Sequence, residues 1–187
     1  MKKIEEQKNA RKQNNRVNGH AQRLVLAAFL AALSIVCGKY LAIPIGTVLR
    51  FSLENLPILL AGMVLGPVAG VLTGVVADLV GCVLVGYAIN PIITLGGATV
   101  GLVGGLIFRA LSRCALSLRI LLAVLAAHLL GSVLIKTWGL AVFYDMPFYV
   151  LLLWRLLNYV IVGTVESLLL LYLLRNKTVR SSLERLR

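Results

Sequence analysis

Gly62-Met63-Val64-Leu65-Gly66-Pro67-Val68-Ala69-Gly70-Val71-Leu72-Thr73-Gly74-Val75-Val76-Ala77-Asp78 is a run in which glycine recurs at every fourth position and the only charge comes last. The spacing returns at Gly97, Gly101 and Gly105, and eleven of the seventeen glycines lie between Gly62 and Gly105. Small residues four apart let helices approach backbone to backbone in lipid, where close packing rather than water drives association. Asp78 sits inside this apolar stretch. A charge there costs kilocalories unless a partner or a ligand answers it, so Asp78 is a candidate functional residue.

Outward from that run the chain keeps the same character. Of 187 residues, 59% are hydrophobic and only 14% charged, in several runs long enough to cross a hydrocarbon core of roughly 30 Å. The fold class that follows is an all-α integral membrane protein, a bundle of six transmembrane helices. They are expected at about Gln22 to Leu41, Leu53 to Leu65, Val68 to Gly86, Pro91 to Arg109, Leu118 to Trp138 and Phe148 to Leu174. The segment Ala42 to Phe51, with Pro44 and Gly46, reads as a loop. Residues 1–20 form a polar basic arm, disordered or surface-helical, 21–175 the membrane domain, and 176–187 a basic tail.

Positive charge sets the orientation. Fifteen of the nineteen lysines and arginines fall in the N-terminal arm, the helix 4–5 connection and the C-terminal tail, which makes both termini cytoplasmic in a multi-pass protein of the cell membrane. Topology and attraction to anionic lipid account for these fifteen, at about 1 kcal/mol each near the surface. Nucleic-acid binding is not indicated by the net charge of +12, because the basic arms carry no interleaved aromatics. Cys37, Cys82 and Cys114 are isolated and neither histidine has a metal-ligand spacing, so no metal site is expected. No catalytic residue is expected either: His128 has no visible serine partner, and a lone helix histidine is usually packed. The sequence has no phosphate-binding loop of the Walker type.

The remaining four basic residues, Lys39, Arg50, Lys136 and Arg155, all fall in the outer half. Asp78, Lys136 and Arg155 can reach one outward-facing cavity, with Lys39 and Tyr40 ending helix 1 nearby; Asn158 and Tyr159 continue the Arg155 face, and Trp138, Tyr144 and Tyr149 surround the entrance. Such a pocket suits an organic anion with a flat ring. The plainer alternative is that Asp78 and Arg155 neutralise each other and the aromatics form an interfacial belt. Glu166, deeper in helix 6, either pairs internally or faces the inner side.

The order of motifs resembles a known family. Arg50 through Pro57, Gly66-Pro67-x-x-Gly70, Gly74, Asp78-x-x-Gly81, Asn90-Pro91-x-x-Thr94-Leu95, Gly101, Gly105, Lys136-Thr137 and Trp154-Arg155 are similar to the S components of energy-coupling factor (ECF) transporters, most closely the folate-specific branch. The resemblance implies a vitamin-capturing subunit that works with a transmembrane coupling subunit and two ATP-hydrolysing cytoplasmic subunits, and holds no cofactor of its own. It implies a docking stripe on helix 1 of the form Ala-x-x-x-Ala, present twice as Ala27/Ala31 and Ala28/Ala32. For a folate ligand, Asp78 reads paired N–H groups of the pterin while Arg50, Lys136 or Arg155 meets the glutamate carboxylates, arginine bidentately. Alternatively, Arg155 anchors the pterin side and Asp78 is structural. Pantothenate and niacin are also anions and stay open, as does a non-transport membrane protein sharing only the helix count.

Overall fold

The computed structural model describes the backbone of residues 2–45 and 49–177 and the side chains of 19–44, 50–143 and 145–177. The side chains of residues 1–18, the C-terminal tail from 178 and the side chain expected at Tyr144 lie outside the described residues. The chain runs as α1 (Lys2–Ile35), which closes in a π-helical turn over Val36–Tyr40, then β1 (Ile43–Ile45), β2 (Leu49–Phe51), α2 (Asn55–Val64), α3 (Pro67–Val85) and α4 (Pro91–Ala110). A single rod follows, built from α5 (Leu116–Ala127), a π-helical stretch His128–Ile135 and α6 (Lys136–Tyr144), and α7 (Phe148–Arg175) ends the described chain. Among the described residues, five helical segments are long and apolar enough to span a membrane; α2, at ten residues, is shorter. Exposed Leu72, Val76, Leu125 and Leu157 show that the bundle turns apolar side chains outward as well as inward, the pattern of helices solvated by lipid.

The breaks follow from local chemistry. Gly66 adopts φ 117°, a conformation that L side chains rarely take, and Pro67 opens α3 where no helical N–H is needed. Asn90 caps α4, its Oδ1 accepting from the Ile92 and Ile93 amides at 2.9 and 3.4 Å, with Pro91 next in line. Asp145, left-handed at φ 52°, stops α6. Two expectations change. The loop expected at 42–51 contains a short antiparallel hairpin, Ile43 opposite Phe51 and Pro44 opposite Arg50, and the fifth apolar segment extends past Trp138 to Tyr144.

The quarter-spaced glycines form the seam expected of them. A Cβ on Gly70 of α3 would lie 2.7 Å from the Gly101 carbonyl oxygen of α4, and one on Gly105 would lie 2.6 Å from the Gly62 oxygen of α2. Gly101 meets the Gly70 backbone in the same way. Three helices therefore touch main chain to main chain. Beyond the seam, Leu59, Met63, Val100, Phe108, Ile120, Val124 and Leu170 fill one end of the bundle from α2, α4, α5 and α7. The other end stays open.

Candidate ligand-binding site

At the open end a cavity enclosing about 840 Å³ of non-atom space, including that open to the outside, is walled by the end of α1, β2, α3, the α3–α4 connection, α6 and α7. All four basic residues set apart by the sequence, Lys39, Arg50, Lys136 and Arg155, line it, together with Asp78, Asn158 and Tyr159. Trp138 does not: it is 59% exposed. Two residues along an α-helix is about 200° of rotation, so with Lys136 facing inward Trp138 faces out.

Asp78 is held by a hydroxyl rather than by a base. Thr94 Oγ1 donates to its Oδ2 at 2.6 Å, and Cys82 Sγ lies 3.9 Å from Oδ1. Among the described residues no salt bridge joins Asp78 to Arg155, which removes the mutual-neutralisation alternative. Arg155 is 7% exposed. Its Nη2 donates to the Tyr159 hydroxyl at 3.1 Å, with its guanidinium carbon 5.4 Å from the Tyr159 ring centroid. Arginine and tyrosine share a face because they are four residues apart. Arg155 Nε and Asn158 Oδ1 are buried without hydrogen-bond partners, a free donor and a free acceptor at the same wall.

Lys136 is committed differently from the expectation that it meets a ligand carboxylate. Its Nζ pairs with Glu54 Oε1 at 2.7 Å and also donates to Asn55 Oδ1 at 3.4 Å. Glu54 lies in the connection before α2; desolvation would raise its carboxyl, but Lys136 beside it, with Lys39 and Arg50 behind, brings it down from 4.5 to about 2. It is therefore anionic. Lys39 and Arg50 have no carboxylate partner among the described residues and instead flank the Tyr87 ring, at 5.6 and 5.3 Å from its centroid. Four cations face two carboxylates, Glu54 and Asp78, leaving an excess of two positive charges.

Glu54, Tyr87, Asn90 and Thr94 belong to this wall or brace it, although sequence reasoning did not single them out as site residues. Glu54 did carry a signal, as a lone carboxylate where the second apolar run begins. His128 is not the lone histidine it seemed to be: its Nε2 lies 2.6 Å from Glu166 Oε2, its Nδ1 3.3 Å from Ser132 Oγ, and its ring stacks on Tyr159. Glu166 accordingly pairs internally. On α1, Ala31 packs against Ile35 and Ala77, while Ala28 and Ala32 face away from the bundle.

The described residues form an apolar-surfaced helical cage with a positively charged, partly aromatic cavity at one end. The family described as ECF-type riboflavin transporter, S component, matches residues 19–178. The chain thus belongs to the S components of ECF transporters, multi-pass membrane proteins that bind the vitamin for an uptake transporter with coupling and ATPase subunits, and are not enzymes. Among solved structures, FolT bound with folic acid superposes with a TM-score of 0.66 at 25% identity, over 80% of this chain and 90% of that one. The S component of a bacterial ECF transporter gives 0.60 at 20% identity, over 83% and 97%. No curated protein sequence matches.

Proposed function

We propose that this S component captures folate from outside the cell. The excess of two positive charges in the cavity carries the reading. Folate brings two carboxylates on its glutamate tail and a pterin with paired N–H donors, which complement two arginines and an Asp78 carboxylate held by Thr94 rather than by a base. Riboflavin is uncharged at neutral pH; pantothenate and niacin bring one negative charge each. The likeness to FolT bound with folic acid supports the same choice. In this reading Arg50 and Arg155 meet the carboxylates, Asp78 takes the pterin N–H groups, Asn158 and Tyr159 line the ring, and Lys136 serves through Glu54. Trp138, turned outward, takes no part.

The short α2 completes a six-helix bundle, with both basic arms in the cytoplasm and the cavity outside. Ala28 and Ala32, the outward-facing copy of the alanine pattern, dock on the coupling subunit, which carries two cytoplasmic ATPases. Riboflavin is the second reading, favoured by the description of the matching family. Calorimetry on the purified protein separates the two: folate binds tightly while riboflavin gives no heat. A retained flavin absorption band with no response to folate would reverse the assignment. Ala32→Trp should keep folate and lose the coupling subunit on co-purification; joint loss of both would place the stripe inside the bundle.

A further inference from the structure

Beneath the cavity lies a polar cluster that the binding site does not use directly. Glu166 is fully buried, His128 nearly so, and their contact at 2.6 Å joins α7 to the π-helical stretch. With its proton on Nε2, His128 donates to Glu166 and accepts from Ser132. Asn55 Nδ2 donates to Ser132 Oγ at 3.5 Å, and Lys136 donates to Asn55 Oδ1. Every donation then runs the same way, from the cavity wall at Lys136 down to Glu166. A ring held at both nitrogens has a fixed plane.

That plane supports the cavity floor. The Tyr159 ring stacks on His128 with centroids 4.9 Å apart and an interplanar angle of 28°. The other end of Tyr159 accepts from Arg155. α7 passes directly beside the imidazole at Gly163, where a Cβ would lie in van der Waals contact with His128 Cδ2 at 3.4 Å. One imidazole is thus tied to Tyr159 by stacking, to Arg155 through Tyr159, and to Lys136 through Ser132 and Asn55.

We infer that His128, oriented by Glu166 and Ser132, is a positioning residue for ligand capture: it touches no ligand but fixes the Tyr159 ring and, through it, the Arg155 guanidinium. The inference rests on the proposed ligand cavity. It assigns to the ring, rather than to the charge of the pair, the effect on affinity.

Calorimetry with folate on the full-length protein tests it. His128→Ala should weaken folate at least tenfold, yet add nothing in a Tyr159→Leu background; full additivity of the two losses, or unchanged affinity in His128→Ala, would overturn the inference. Because a lone buried Glu166 can impair folding, two apolar doubles carry the comparison further. His128→Phe/Glu166→Leu keeps a ring and should bind within about threefold of wild type, whereas His128→Leu/Glu166→Leu should not; equal affinities would show that no ring is needed. A vitamin-free measurement judges the positioning by itself. In fluorotyrosine-labelled protein, the Tyr159 resonance, assigned by its loss in Tyr159→Phe, should be displaced by His128→Ala and return towards its original position in His128→Phe/Glu166→Leu. An unmoved resonance sinks the inference. Failure of the wild type to bind folate strikes the vitamin assignment instead and leaves the resonance to decide.

Discussion

On α4, Gly101 and Thr94 lie two turns apart and meet α3 under opposite conditions. At Gly101 a single methyl group has nowhere to go, because the Gly70 main chain of α3 already occupies the space. At Thr94 the same two helices part enough for a hydroxyl to hold the Asp78 carboxylate at the wall of an open cavity. The seam is therefore fixed by backbone that cannot yield, and the cavity by side chains whose bonding capacity is left over. Substitutions in the first should act on folding, and in the second on binding unless they break a pair inside the wall such as Glu54–Lys136.

The sharpest way to break that division is Gly101→Val, which forces α3 and α4 apart along main chain. It should cost more than about 3 kcal/mol, the upper part of the overpacking range, and abolish monodisperse protein in detergent chromatography. Glu54→Ala comes next. It strips Lys136 of its partner and should destabilise by roughly 3 kcal/mol, seen as a lowered thermal midpoint that Glu54→Leu/Lys136→Met largely recovers. Because the folded carboxyl is lowered from 4.5 to about 2, the pair contributes fully above 4.5 and is lost as pH falls through 2. The Glu54→Ala deficit should thus be constant from pH 6 to pH 8 in thermal-shift assays.

Asp78→Asn keeps an acceptor for Thr94 and removes only the charge. The thermal midpoint should hold while folate affinity drops about tenfold, or about 1.4 kcal/mol by calorimetry. A drop in both would mean that Asp78 belongs with the seam. The smallest effect belongs to Trp138→Ala, exposed and off the cavity wall; stability and affinity should both stay within about 0.5 kcal/mol.

Much of this arrangement was legible. Glycine spacing foretold the seam, since a residue without a side chain has one packing consequence in lipid. The four basic residues that broke the topological bias all reached the cavity, because charge in an apolar half has few places to go. The pairings were not legible. Glu54 and Lys136 stand 82 positions apart, and His128 and Glu166 38; which of several charged groups meet depends on the rotational phase of separate helices. Local patterns do not carry that phase across a loop. Trp138 is the exception that could have been read, since its place two residues from Lys136 already put it on another face.

The π-helical stretch His128–Ile135 has a bearing on how relatives of this chain should be lined up. A wider turn accommodates a residue that an ordinary α-helix of the same rise lacks. Deleting one residue there would let the span continue as plain α-helix with Lys136 still turned towards Glu54, whereas the same deletion in an ordinary α-helical turn would rotate everything beyond it by about 100°. Alignments habitually confine gaps to loops. In this span the natural place for a one-residue gap is the middle of the membrane, and forcing it outward would set every position from Lys136 to Tyr144 against the wrong counterpart.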